Sequence, residues 1–580
     1  MVAAETVVAK ESPAVTPGSA APTDADAGRA RATDDGSKPR GGDETKASGA
    51  RGANGGKPDD KAAGRKPAEA PQRFDIFEYR VEGADLLPQI EVEESVYPFL
   101  GPSRTADDVE KARGALEKAY TAKGYQTVTV SVPQQNPDKG FVILKVTEHK
   151  VGRLRVKNSR YFDVDRIKTS APSLAEGKVP NFNAVTKDIV GLNQWPDRKV
   201  TPALRAGLTP GTVDVDLTVE DKIPFHASVE LNNRQSPSTT PLRIVATTHY
   251  DNLWQRGDTA NFSYQVAPQR RSDAEVFSGS YLARTDLDWM NLLVYGVSSQ
   301  SDVATVGGQN VIGPGQIIGG RVVLTLPGRD GFFQSLSLGL DYKHFGQIVS
   351  QGSVLSFSTP VTYVPAVASY NATFQREGGL TQFNAALTYG LRGIGSDPFA
   401  FDDKRFRARQ NFMHLKADVS DTLTFKDGAQ LFLKAQGQIA DQPLVSSEQF
   451  SLGGMDTVRG YLESETLGDW GTSATVELRT PNLPEWLLTA TSGDSKPDRS
   501  KLAGFDEWRL FAFGDVGQVR TLEPLPGQQA FFFLASYGVG TSFKLFNHLS
   551  GSAVFAMPLV TQTYSAANHP RVLFRISGEF

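Results

Sequence analysis

Apolar and polar positions change rhythm twice along the chain. Over the first 72 residues there is no rhythm: Leu, Ile, Phe, Tyr and Trp are absent, and Ala, Gly, Asp, Lys and Pro dominate. Such a stretch cannot bury enough apolar surface to offset the entropy lost on ordering, so residues 1–72 are expected to be a disordered segment. From Phe74 onward, strand-like and helix-like segments follow one another. Phe77, Tyr79 and Val81 alternate as a strand, and Ile90, Val92, Val96 and Phe99 suit a short helix over Pro88–Phe99. Thr105, with Asp108 three residues on, opens a second helix in the manner of a capping box. Val109, Ala112, Leu116 and Tyr120 recur at helical spacing, and Gly124 supplies the stop. Strands at Thr127–Val132 and Phe141–Val146 complete a β-α-α-β-β unit over residues 73–150. The order then repeats over 151–222. Leu154 and Val156 sit on a strand, and Val185, Ile189 and Leu192 share a helical face after Asn183. Strands follow at Arg198–Ala206 and Val213–Val219.

After Pro224 the helical period disappears and a period of two continues to the end. Leu336, Leu338, Leu340 and Tyr342 alternate with Ser337, Gly339 and Asp341, and Phe383, Ala385, Leu387, Tyr389 and Leu391 behave likewise. One face is apolar and the other small or polar, as lipid outside and water inside require of a barrel. Sixteen strands are predicted, beginning near His226, Leu242, Asp258, Ala274, Trp289, Gln316, Gln334, Ala368, Leu380, Arg409, Ala429, Gly471, Trp508, Leu534, Leu549 and Pro570. An even number lets the sheet close antiparallel with both ends on one side. No run of 18 apolar residues occurs, which excludes helical spans, and a closed barrel is the other structure able to satisfy its backbone in lipid. The predicted fold is an all-β transmembrane barrel of about 16 antiparallel strands over 223–580, preceded by two small α+β domains.

Composition narrows the chemistry. The 580 residues include no cysteine, which removes disulfides, thiolate metal sites and cysteine nucleophiles. Lys and Arg number 61 against 65 Asp and Glu, a net charge of −4 that argues against a nucleic-acid partner. Seven histidines, at 149, 226, 249, 344, 414, 548 and 569, form no HExxH-type cluster, so no metal site and no cofactor are expected. With no GxSxG and no motif-level Ser/His/carboxylate set, no catalytic residue is assigned and the chain is expected not to be an enzyme. The opening MVAAETVVAK has neither a basic start nor an apolar core; export to an outer membrane requires a secretory leader, so a processed or downstream start is expected.

Two segments carry candidate function. Residues 441–470 form the longest stretch in the barrel region without strand character. They contain Phe450-Ser-Leu-Gly-Gly-Met-Asp-Thr-Val-Arg-Gly-Tyr461, in which Val458-Arg459-Gly460-Tyr461 places one cation at a tip. Phe511-Ala-Phe-Gly-Asp-Val-Gly517 puts Asp515 on a lumen face, among Phe513, Gly514 and Gly517. An in-folded arginine and an inner-wall carboxylate can form a charge-assisted pair. An exposed loop arginine with a solvated lumen aspartate is the plainer alternative. At the end of the chain Val572, Phe574, Ile576, Gly578 and Phe580 share one face and finish on an aromatic.

These motifs together resemble the TpsB-type transporters of two-partner secretion, the exporters of haemolysin and filamentous haemagglutinin. Tyr120-Thr-Ala-Lys-Gly-Tyr125, Val132-Pro-Gln-Gln135 and Gly140 are similar to that family's first POTRA domain. Leu192-Asn193, Pro196-Asp-Arg198, Gly207 and Pro210-Gly-Thr212 are similar to its second. His249-Tyr-Asp-Asn252 with Gly257-Asp258 resembles the early barrel strands, and Glu477-Leu-Arg-Thr-Pro481 the strand after the signature loop. The resemblance spans roughly 75–580, and the loop with its FGDVG strand is its most specific part. It implies a barrel in the outer membrane with POTRA 1 (73–150) and POTRA 2 (151–222) in the periplasm. It implies that the loop folds into the barrel and that Arg459 pairs with Asp515 in support of transport. Phe574, Ile576 and Phe580 would be the signal read by the barrel-assembly machinery. The implied partner is a secreted TpsA-like exoprotein, with outer-membrane lipid around the barrel. Family members begin with a leader, a plugging helix and a linker; residues 1–72, with Gly36, Gly41, Gly42 and Gly49, read as linker. The competing readings are an assembly or insertion factor of the same superfamily, which usually carries more POTRA domains, a barrel enzyme, and a passive porin.

Overall fold

The computed structural model describes residues 72–580 apart from 137–138, 288, 301–302, 307–308, 313, 347, 352–354, 359 and 493–503. The expected disorder of 1–72 lies outside the described residues.

Two small sheet-and-helix modules come first and share one topology. In the first, Glu78–Glu82 runs parallel to Phe141–Glu148, and Val128–Ser131 pairs antiparallel on its other side. In the second, Lys150–Lys157 runs parallel to Thr212–Asp221, with Arg198–Ala206 antiparallel beyond it. Helix Ala106–Ala122 buries Val109, Ala112, Leu116 and Tyr120 against the first sheet. The capping box forms: the Thr105 N–H donates to the Asp108 carboxylate at 3.1 Å. Gly124 takes φ +96° where that helix ends, a conformation a Cβ would strain. Two details differ from expectation. The opening strand is broken into Phe74–Ile76 and Glu78–Glu82, and the first piece pairs with a short strand, Gly101–Arg104, that has no alternating pattern to reveal it. The second module carries both helices of the repeated order, the first being Val164–Thr169, capped by Asp163. Its later helix, Phe182–Leu192, starts at Asn181 rather than after Asn183, because the Asn181 carboxamide oxygen accepts from the N–H groups of Asn183 and Ala184.

The remainder is a closed barrel of sixteen antiparallel strands. Each predicted strand is present, and most begin within a few residues of the expected position. The eighth, Val361–Arg376, starts well before Ala368: its inward residues Val361 and Tyr363 are apolar and fully buried, so the contrast between faces that sequence reading follows is missing there. The outer wall is apolar, with Val294, Ile318, Leu340, Ile439, Leu478, Val539 and Val572 among its exposed side chains. Aromatics collect near both rims, Trp289, Phe333, Phe505 and Trp508 toward the modules and Tyr342, Trp470 and Phe531 at the far end. No helix among the described residues is long and apolar enough to cross a membrane. The last strand, Arg571–Glu579, closes onto the first, Phe225–Asn232, through the register Arg575↔Asn232 to Glu579↔Ser228. Phe580 extends this seam, since its N–H donates to the Ala227 carbonyl at 2.8 Å and its carbonyl accepts from the Ala227 N–H at 3.2 Å.

Candidate functional site

The connection between the eleventh strand (Gln430–Ala440) and the twelfth (Trp470–Arg479) turns into the lumen. Its sequence predicts no strand, yet it contains two. Phe450–Leu452 and Thr466–Gly468 form a small antiparallel ladder at its base, too short for alternation to show. Gly453 and Gly454 follow at φ +107° and +102°, turning the chain toward its tip.

At the tip Arg459 is 7 % exposed and faces Asp515 on the thirteenth strand, Phe505–Arg520. Asp515 is 3 % exposed and lies in the inward row with Phe511, Phe513, Gly517 and Val519. Arg459 Nε donates to Asp515 Oδ2 at 2.8 Å and Nη2 to Oδ1 at 2.9 Å, a bidentate fork. The Arg459 backbone N–H adds a third bond to Oδ2 at 3.0 Å. The remaining Nη1 donates to Glu477 Oε2 on the twelfth strand at 2.6 Å, and the Phe513 ring lies 3.5 Å beneath the guanidinium carbon. A lysine could not make the planar two-pronged fit to Asp515 while lying flat on the ring.

The other predicted loop residues also join the site. Val458 is fully buried in a cluster with Phe450, Leu452, Tyr461, Val519 and Leu534. Gly460 takes φ +92°, a conformation a side chain would strain, and a Cβ there would stand a tight 3.3–3.4 Å from Pro558 and Ala556. Tyr461 Oη bonds the carbonyls of Val560 and Ala535 at 2.9 and 3.1 Å and accepts from the Val560 N–H at 3.0 Å. Gly517 is glycine because Leu452 occupies the space: a Cβ there would stand 2.5 Å from Leu452 Cδ1. Gly514 does not join the site; it faces outward, and a Cβ there would meet nothing within 4 Å. Phe574 and Ile576 lie on the closing strand, away from the loop, with Phe574 N–H donating to Asn233 Oδ1 at 2.8 Å.

Several participants escape sequence reading. Glu477 is the second carboxylate on Arg459, and Arg479 supports it at 2.7 Å. Arg234, between the first two strands, holds Glu463 at 2.9 Å and also reaches Asp456. Glu465 accepts from the Tyr564 N–H at 3.0 Å and the Ser565 hydroxyl at 2.8 Å, across from the last hairpin. Lys434 and Gln436 both donate to the Asp456 carbonyl at 3.0 Å. Each is a charge or amide among many in the sequence, and only the folded loop picks it out.

An apolar-walled closed barrel, two like modules at one rim and a long loop bonded to the inner wall define an outer-membrane β-barrel transporter with periplasmic domains. Residues 211–543 match the family described as haemolysin secretion/activation protein ShlB/FhaC/HecB, and the chain belongs to that family. Residues 74–149 match the ShlB-type POTRA domain. The outer membrane transporter CdiB of Dickeya dadantii (strain 3937) is 24 % identical over 429 residues, 72 % of this chain and 73 % of that protein. The heme/hemopexin transporter protein HuxB of Haemophilus influenzae is 20 % identical over 378 residues, 63 % of this chain and 64 % of its own length. Among solved structures, CdiB from Escherichia coli shares the fold at a TM-score of 0.59 and 19 % identity, covering 90 % of this chain and 92 % of that one. The family is one of two-partner secretion transporters rather than enzymes, and the chain resides in the outer membrane with its POTRA region in the periplasm.

Proposed function

We propose that the chain receives a TpsA-like exoprotein at both periplasmic modules, 73–150 and 151–222, and passes it unfolded through the lumen once the loop 441–470 leaves the wall. The second module acts as a second POTRA domain; the observation behind this is its strand order, which repeats that of the first. Both sheets present edge strands, Val128–Ser131 and Arg198–Ala206 among them, on which an extended chain can pair by backbone hydrogen bonds. Val458, Arg459, Gly460 and Tyr461 form the latch, and Phe513, Asp515 and Gly517 its seat. The observation that carries this reading is the buried bidentate Arg459–Asp515 bond inside the lumen. Phe574, Ile576 and Phe580 serve recognition by the barrel-assembly machinery, and the outer wall contacts lipid.

The test is reconstitution. The chain and the large secreted protein encoded beside it are expressed together, and exoprotein is measured outside the cell. Secretion is expected when both are present and is lost when 73–222 is deleted, although the barrel still reaches the membrane. Secretion that continues without 73–222 would remove the receptor role.

A further inference from the structure

Where the second module meets the barrel, four donor groups converge. His226 and His249 are direct cross-strand partners on the first and second barrel strands. Their rings stack at 4.6 Å with 21° between planes. Asp251 lies two residues along from His249, and its Oδ2 is 3.4 Å from His249 Nε2 and 3.9 Å from His226 Nε2. The three donor atoms all lie within 4.8 Å of one another. Asp197 comes from the second module, just before its strand Arg198–Ala206, and brings both carboxylate oxygens to 3.0–3.1 Å from His226 Nε2. Asp197 is buried, and the two histidines and Asp251 are partly open to water.

The backbone holds these groups in place. The Lys222 N–H donates to the Asp197 carbonyl at 2.9 Å, and the Asp251 N–H donates to the Pro224 carbonyl at 2.9 Å. The short linker between module and barrel is therefore pinned on both sides by the residues that carry the carboxylates. Neighbouring contacts complete the joint. Trp195 sits under Arg198 at 4.3 Å and against Gly257, and the Tyr161 carbonyl accepts from Gln255 at 3.1 Å.

Two aspartates and two neutral imidazoles carry a charge of −2, which one divalent cation would neutralise. Imidazole nitrogen favours zinc-class first-row ions over calcium or magnesium. At bond lengths of about 2.0–2.2 Å such an ion needs its ligand atoms roughly 3.3–3.5 Å apart; Asp251 and His249 stand at 3.4 Å, while His226, at 3.9 Å from Asp251, has to draw in, with Asp197 already at hydrogen-bond distance from it. We propose that His226, His249, Asp251 and Asp197 form a binding site for a zinc-class divalent ion that cross-links the second periplasmic module to the barrel rim. In the ion-free state His226 and His249 donate their Nε2 protons to the carboxylates. Binding takes the other tautomer of each neutral ring, with its single proton on Nδ1, so that the Nε2 lone pair faces the ion.

The test uses the full-length, tag-free chain purified in detergent, stripped with a chelator and titrated with Zn²⁺ alone against a chromophoric competitor. Wild type should retain one zinc per chain after desalting, and His249→Ala should bind at least about a hundredfold more weakly, in keeping with the loss of a ligand. Heat-modifiable mobility confirms a folded barrel; if His249→Ala misfolds, His226→Gln carries the comparison. Zn²⁺ should also slow protease cleavage at the 222–224 linker in wild type but not in Asp197→Asn. Non-stoichiometric zinc, or equal affinity in the folded histidine variant, overturns the site. Protection that survives in Asp197→Asn overturns the cross-link.

Discussion

Replacing Arg459 by Ala should unlatch the loop while leaving the barrel intact. Arg459 supplies all three of the bonds traced from the loop to Asp515, whose side chain has no exposure to solvent. The substitution removes two of these and loosens the third, which comes from the backbone. Glu477 keeps Arg479 at 2.7 Å, so Asp515 is the group left uncompensated. Breaking a buried pair from one side costs about 3–5 kcal/mol. Because Glu477 retains a partner, the lower half of that range applies. At about 1.4 kcal/mol per factor of ten, the balance between docked and released loop should shift by roughly two to three powers of ten. The assay pairs protease or cysteine-labelling access at 455–465 with secreted exoprotein and heat-modifiable barrel in the same cells. Access should rise and secretion fall to a small fraction, with barrel abundance unchanged, because transport needs the loop to dock on Asp515 again as well as to leave it. Wild-type secretion at normal barrel levels would refute the reasoning. Arg459→Ala combined with Asp515→Asn should be no worse than either change alone, since both remove the same interaction.

The remaining expectations rank the supporting contacts. Gly517→Leu should reproduce the Arg459 defect with both charges intact, because the new side chain takes the space of Leu452; unchanged loop accessibility would show that this packing does not matter. Tyr461→Phe removes the hydroxyl that bridges Val560 and Ala535, a loss of roughly 1–3 kcal/mol, so secretion should fall less than in Arg459→Ala. Deleting Phe580 takes two backbone bonds from the closing seam and should lower folded barrel far more than secretion per barrel, measured by heat-modifiable mobility; the reverse pattern would place Phe580 in transport.

The strand count was legible because each wall strand must present alternate faces to lipid and water, so every strand leaves the same trace. The Arg459–Asp515 pair was legible for a related reason: Asp515 interrupts that trace with a charge, and resemblance to a known family supplied its partner. What stayed hidden depends on register. His226 and His249 are 23 positions apart and meet only because the first two strands pair residue for residue. Glu477 reads as an ordinary inward polar residue until Arg459 is placed beside it. Gly101–Arg104, Phe450–Leu452 and Thr466–Gly468 are too short or too irregular to alternate and were missed, and Val361–Arg376 was placed late because its first inward residues are apolar. The capping box at Thr105 was readable because it is local.

The in-folded loop also has a mechanical consequence. A closed hydrogen-bonded wall fixes its own circumference, but nothing in it fixes the shape of the cross-section. The loop braces that shape from within. It is bonded to Lys434 and Gln436 on the eleventh strand, Asp515 on the thirteenth, Arg234 after the first and Tyr564 in the last hairpin. If the loop leaves the wall as proposed, the ring would be free to pass from round to oval without breaking one interstrand bond. The lumen can then fit itself to the width of whatever chain moves through it, as a hose flattens around its contents while its perimeter stays constant.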